Sequence, residues 1–263
     1  MNNKICSLDD KLSIIEQNKI YEDLEEFQKL VLDGMSKINN FPFVFTGGTA
    51  LTKVYLDNHR RSYDLDYFGN FKIYKNFQKD VTNVFKDIDV KIEDFRSDTD
   101  QEGTRFDKYI VSKTINNSLV TMKVEFVEDC FNGLFKPSYN NGWITDSLEA
   151  IYFRKIYALL SRDFNRIKDL IDLYYLHEIQ SFEEYYSTKF LSKFKEYFIQ
   201  KGHINLEFNS KELIDSINSF LKYIFTHENE VNALLHSYDS RLNYMEIHER
   251  FSGFYNKLSY NEE

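Results

Sequence analysis

Asp64 and Asp66 are separated by one residue in the stretch SYDLDYF, residues 62–68, where polar and apolar residues alternate. On a strand, that alternation puts both carboxylates on one face and Tyr63, Leu65 and Tyr67 on the other. Two like charges side by side disfavour joint ionisation unless a cation compensates them. Magnesium, a hard ion that takes oxygen ligands, suits the task, and two such ions can clamp the attacking and leaving oxygens of a phosphoryl transfer. Upstream, Gly47, Gly48 and Thr49 close an apolar run, FPFVFTGGT. A glycine pair lets the backbone approach a ligand closely. Free amides at a helix start attract phosphate, and Thr49 adds a hydroxyl donor. Taken singly, D-x-D also suits a solvated strand face and GGT a tight strand-to-helix turn. Within one chain, one short helix apart, they combine into a phosphate-binding turn followed by a pair of metal carboxylates.

These residues need a sheet to position them. The run from Phe43 reads as a buried strand ending at the glycine turn, TALTKVYL opens a short helix, and SYDLDYF forms the next strand. Residues 9–38 carry a helical pattern in Leu12, Ile15, Leu24, Phe27, Leu30 and Val31. A second helix is expected over about 73–86, with Ile73, Phe77, Val81, Val84 and Phe85 as its apolar stripe. Three more strands follow at residues 88–95, 105–113 and 118–127. The last sets Met122, Val124 and Phe126 against Lys123 and Glu125. After KPSYNNGW the pattern turns helical, DSLE reading as a capping box with Asp146 as N-cap and Glu149 as its partner. Helices are expected through Leu160, over about 163–179 and on to the end, broken near KGHINLEF and SYDSR. The expected architecture is α/β (α+β): a mixed sheet with flanking helices over residues 1–145, then an all-helical half over 146–263 that completes the active site.

The bulk composition narrows the field. Of the 263 residues, 42% are hydrophobic and 29% charged, which is globular material and not a disordered chain. The formal net charge of −9 weighs against coating nucleic acid by bulk electrostatics but leaves room for a local basic cleft. Cys6 and Cys130 are the only cysteines, too few for a disulfide framework or a cysteine-rich zinc site. His59, His177, His203, His227, His236 and His248 show no metal-binding spacing. Trp143 and the tyrosine-rich helices read as core, and residues 178–198 as an ordinary amphipathic helix. No apolar run approaches a membrane span of roughly 20 residues, and the first residues, MNNKICSLDD, lack a signal-peptide core. A cytoplasmic protein with no membrane partner is expected.

The string GGTAL…HRRSYDLDYF, which contains Gly47, Gly48, Thr49, Ala50, Leu51, Arg60, Ser62, Asp64 and Asp66 in order, resembles the signature of the AbiEii/AbiGii toxin family of nucleotidyltransferases. That family is a branch of the DNA-polymerase-β-like superfamily. A second segment, FRKIYALLSRDFNRIKDLIDLYYL, resembles the family's later helical motif through Lys155, Ala158, Leu159, Arg162, Arg166, Lys168, Asp169 and Asp172. The resemblance implies transfer of a nucleoside monophosphate from a nucleoside triphosphate to an acceptor hydroxyl, with release of pyrophosphate. Asp64 and Asp66 would hold magnesium in a two-ion site, with a third carboxylate on a later strand, for which Glu125 is preferred and Glu128 and Asp107 are the other candidates. Gly47, Gly48 and Thr49 would bind the phosphates, and Arg60, Ser62 and Asp169 would support the nucleotide. Lys155 would neutralise developing charge, and Asp172 would position groups around it. The resemblance also implies a tRNA acceptor, a cognate antitoxin, and a role in a toxin–antitoxin or abortive phage-infection system. Two other readings remain: a small-molecule nucleotidyltransferase of the antibiotic-modifying kind, and a nucleotide-binding protein without turnover.

Overall fold

The computed structural model describes residues 14–57, 59–99, 103–129, 134–161, 167–178, 229, 232, 243 and 245–250. The chain forms two compact units: Met1–Tyr55 with Arg61–Ser147, and Leu56–Arg60 with Leu148–Glu263. The expected helices beyond residue 178, their breaks, and the cysteines Cys6 and Cys130 lie outside the described residues, except for a helical stretch at 245–250.

The first unit is built on seven strands. They are β1 (Phe43–Thr46), β2 (Asp64–Gly69), β3 (Lys91–Thr99), β4 (Arg105–Ile115), β5 (Ser118–Glu128), β6 (Ser138–Asn140) and β7 (Trp143–Thr145). Their order across the sheet is β3-β4-β5-β2-β1-β7-β6. The sheet is mixed: β2 runs parallel to β5, and β1 parallel to β7, while the other neighbours are antiparallel. The strand β2 that carries the aspartates is therefore flanked on both sides, by β1 with the glycine turn and by β5 with Glu125. Two hairpins are set by asparagine and glycine, which tolerate positive φ. Asn116 and Asn117, at φ 47° and 66°, join β4 to β5; Asn141 and Gly142, at 54° and 84°, join β6 to β7.

Helix α1 (Ile14–Met35) packs against β4, β5 and helix α3 (Phe77–Asp87). It buries Leu24, Phe27, Val31, Leu32 and Met35, a stripe at helical spacing. α3 buries Phe77, Val81, Val84 and Phe85, as its sequence pattern requires, but Ile73 does not join that stripe. It ends a separate 3-10 turn, Phe71–Ile73, in which the Asn70 side chain accepts from the Lys72 amide, and it is exposed. The core is strongly aromatic. Phe43 meets Phe71, Phe77 and Phe126 with ring centroids 4.9, 4.8 and 5.5 Å apart, and Tyr67 stacks on Phe126 at 5.0 Å. Each fully buried side chain of this size contributes about 1.5–3 kcal/mol, so the interior face of β1, β2 and β5 fixes which face is left for chemistry. Trp143 is buried as expected and donates its indole N–H to Asp33.

The second unit contains the short segment Leu56–Arg60 with helices α4 (Leu148–Ser161) and α5 (Ile167–Glu178). α4 buries Ala150, Ile151, Tyr152 and Phe153; α5 buries Leu170, Ile171, Leu173 and Leu176. Because α4 begins at Leu148, Asp146 does not directly precede it, as the expected capping box would require. The Asp146 carboxylate instead accepts a hydrogen bond from the Thr46 hydroxyl at 2.5 Å, beside the glycine turn. At 245–250, Ile247 is buried, and Arg250 pairs with Glu178 and lies 5.6 Å from the Tyr174 ring centre.

Candidate active site

In the first unit the chemistry collects on one face of β2 and β5. The parallel register sets Asp64 beside Lys123 and Asp66 beside Glu125. The period of two then puts all four side chains on the face opposite Leu65, Tyr67, Val124 and Phe126, which are buried. The Lys123 ammonium lies 3.2 Å from Asp64 Oδ2, 3.8 Å from Asp66 Oδ1 and 3.3 Å from Glu125 Oε2. Burial works against the lysine's charge, but Asp66, Asp64 and Glu125 outweigh it and hold its pKa above the ordinary value, so it stays an ammonium. Lys123 thus faces all three carboxylates at once.

The other candidates for a third carboxylate are engaged elsewhere. Asp107 stands opposite Phe126 in the register, is fully buried, and takes two bonds from Arg105 and one from Ser97. Glu128 accepts from the Phe71 amide at 3.0 Å.

The glycine turn abuts this face. Thr46 pairs with Asp66 in the antiparallel register, and the chain then turns into a short helix α2 (Gly47–Ala50), continued by a wider helical turn, Leu51–Tyr55. Gly47 has φ +78°, and a Cβ there would fall 2.8 Å from Asp66 Oδ2. Glycine is thus required twice, by the left-handed backbone and by the carboxylate pressed against it. Gly48 and Thr49 are buried. The Thr49 hydroxyl lies 2.6 Å from the Ser62 hydroxyl and donates to the Asp64 carbonyl at 2.5 Å. Gln28 of α1 donates to the Ser62 carbonyl at 2.9 Å. Thr49 and Ser62 therefore tie the turn to the start of β2.

The donor set of Asp64, Asp66 and Glu125 suits a hard divalent ion: three carboxylates on adjacent register positions, already gathered around one positive charge. Among the described residues no three His, Cys, Asp or Glu side chains close to metal-binding distance. The three carboxylates converge on the lysine instead.

In the second unit a separate buried network forms around Asp172. Arg60 reaches it with two bonds, Nε to Oδ1 at 2.6 Å and an Nη to Oδ2 at 2.8 Å. His59 Nε2 lies 2.7 Å from Oδ1, and Lys155 Nζ 2.7 Å from Oδ2. Lys155 also donates to Asp169 at 2.5 Å. The i,i+3 spacing of Asp169 and Asp172 puts both on one face of α5, where they hold Lys155. Burial would push the Asp172 carboxyl up, but Lys155 and Arg60 hold it well below the usual range. For Lys155, burial disfavours the charge and the two aspartates outweigh it, raising its pKa. His59 goes the other way: burial lowers it, opposed by Asp172, with Arg60 and Lys155 adding to the lowering. Lys168 is half-buried, and Arg162 and Arg166 of the same motif lie outside the described residues.

A family model described as nucleotidyl transferase AbiEii toxin, of a type IV toxin–antitoxin system, matches residues 38–243. The chain belongs to the AbiEii family of nucleotidyltransferase toxins. It is an enzyme that uses a nucleoside triphosphate, and its type IV system implies an antitoxin partner. The fold agrees with two Helicobacter pylori crystal structures. JHP933 is 18% identical at a TM-score of 0.54, over 92% of this chain and 94% of that one. A chain described provisionally as a nucleotidyltransferase is 18% identical at 0.52, over 96% of this chain and 100% of that one. No curated protein matches the chain. No described helix is long and apolar enough to cross a membrane.

Sequence reasoning did not single out Lys123 or His59. For Lys123 a signal existed: K-x-E on the strand places lysine and glutamate on one face, and the parallel register sets that face beside Asp64 and Asp66. For His59 there was none, because its partner lies 113 residues away.

Proposed function

We propose that this AbiEii-family enzyme transfers a nucleoside monophosphate from a nucleoside triphosphate to a hydroxyl at the acceptor end of tRNA. In this reading the acceptor oxygen attacks the α-phosphorus, a new P–O bond forms, the bond to the bridging oxygen breaks, and pyrophosphate leaves. Asp64, Asp66 and Glu125 hold magnesium, which when bound supplies charge stabilisation to the phosphoryl oxygens. The Gly47–Gly48 backbone receives the phosphates, and Thr49 and Ser62 keep that turn in register with Asp64. Lys155 has three N–H donors. Two go to Asp169 and Asp172 within the helical unit, where Arg60 also binds Asp172, and the family resemblance assigns the lysine's charge to the triphosphate. Catalysis is then mostly positioning and electrostatics. The role is that of a toxin in phage defence.

The observation that supports this reading is the meeting of three carboxylates on one cation, with Asp66 pressed against the Gly47 turn. The test is incubation with each α-labelled triphosphate, total cellular RNA and magnesium. Label is expected in the tRNA fraction with the wild type and not with Asp64→Asn or Asp66→Asn, whose folds should stay intact. Full labelling by both variants sinks the catalytic assignment; label in a small molecule but not in RNA sinks the tRNA acceptor.

A further inference from the structure

We propose that Lys123 is the resident counter-ion of the carboxylate face, holding the place of a divalent ion and yielding it when the ion binds. The inference rests on the reading of Asp64, Asp66 and Glu125 as metal ligands. Four side chains form a two-by-two block on neighbouring parallel strands, Asp64 beside Lys123 and Asp66 beside Glu125. Lys123 is the long, flexible member of the block, and its ammonium sits within 4 Å of all three carboxylates. Its position is built: about three quarters of the side chain is covered. The ammonium offsets the mutual repulsion of three carboxylates on adjacent positions, and so helps to keep the ligand set gathered.

A magnesium ion sits about 2.0–2.1 Å from its oxygens. The ammonium stands 3.2–3.8 Å from the same groups. The two cations cannot share the space between the carboxylates, so the ion must displace the ammonium, and the energy of that displacement comes out of the ion's affinity. The free enzyme therefore binds the ion weakly, and removal of the lysine charge strengthens binding while weakening the metal-free fold.

The test is Mn²⁺ binding to the full chain without nucleotide, followed by titration calorimetry and by electron paramagnetic resonance of the free ion, with melting measured in parallel. Lys123→Met is expected to bind Mn²⁺ at least about tenfold more tightly than the wild type, the scale of losing one adjacent competing charge. Without metal it should melt below the wild type and regain more of its melting temperature when Mn²⁺ is added. Lys123→Arg, which keeps the charge, should bind as weakly as the wild type. Equal or weaker binding by a folded Lys123→Met overturns the proposal, as does tight binding by Lys123→Arg. Asp64→Asn and Asp66→Asn separate the two layers. Loss of Mn²⁺ binding in them, with Lys123→Met unchanged from wild type, removes the counter-ion role and leaves the metal site. Unchanged Mn²⁺ binding in both aspartate variants removes the metal site itself.

Discussion

Gly47 shows how little freedom single residues have at this site. Its φ of +78° and the 2.8 Å gap that a Cβ would leave to Asp66 Oδ2 act on the same carboxylate. Gly47→Ala is expected to cost about 1–2 kcal/mol of stability from the backbone alone. It should also cut turnover at least about tenfold, because Asp66 must turn away and positioning errors of this size are expensive. Denaturant unfolding and labelled-triphosphate turnover check the two effects separately. Wild-type turnover at reduced stability would mean that Asp66 tolerates the shift. Tyr67 tests the opposite expectation. Its hydroxyl is fully buried and has no hydrogen-bond partner among the described residues, and burial raises its pKa far above the ordinary value. A desolvated, unpaired hydroxyl costs about 1–3 kcal/mol. Tyr67→Phe should therefore melt at or above the wild-type temperature, and a clear loss would reveal a hidden partner.

At the scale of elements, α5 draws a histidine, an arginine and a lysine onto Asp172, and the pH dependence of the fold follows. The unfolded chain takes up a proton at His59 near its ordinary pKa of 6.5, while the folded chain, with a lowered pKa, resists it. Stability should fall as pH drops below about 6.5 and level off once the folded imidazole also protonates. Asp172, also lowered, adds a second loss as pH falls below 3.8 toward its folded value. Lys155, raised, stays fully effective below 10.5, so nothing is lost to it near neutrality. Melting curves from pH 8 to 5 should slope for the wild type and flatten for His59→Gln. The sequence made some of these elements legible and hid others. The alternation around Asp64, Asp66 and Glu125 is local, so β2 and β5 and their faces could be read directly. The stripe of α3 could be read too, but not its later start at Phe77, with Ile73 left in a separate 3-10 turn that the Asn70 side chain caps. β6 and β7 span three residues each, too short for any period, though Asn141-Gly142 between them was an available hairpin signal. The network on Asp172 depends on contacts far apart in the chain, which spacing cannot show.

For the whole molecule, family membership makes growth arrest the expected cellular outcome, and a net charge of −9 makes any hold on RNA a local matter. Induction of the wild type without antitoxin should stop growth, while Asp64→Asn at matched protein levels should not; equal growth of the two would count against the toxin role and leave the nucleotidyltransferase assignment standing. The route of the chain carries one more consequence. Leu56–Arg60 leaves the sheet between the glycine turn and β2 and belongs to the helical unit, so the units are joined by three chain crossings and not one. Arg60 has to wait for Asp172, 112 residues later. At 5–20 residues per second a ribosome takes on the order of ten seconds to cover that interval. A chain broken off in between carries both aspartates behind an Arg–His pair made for burial and given no carboxylate. Frameshifts and stop codons that spare cells from this toxin are therefore expected to map throughout the stretch from residue 61 to residue 172, well past the codons for the last strand.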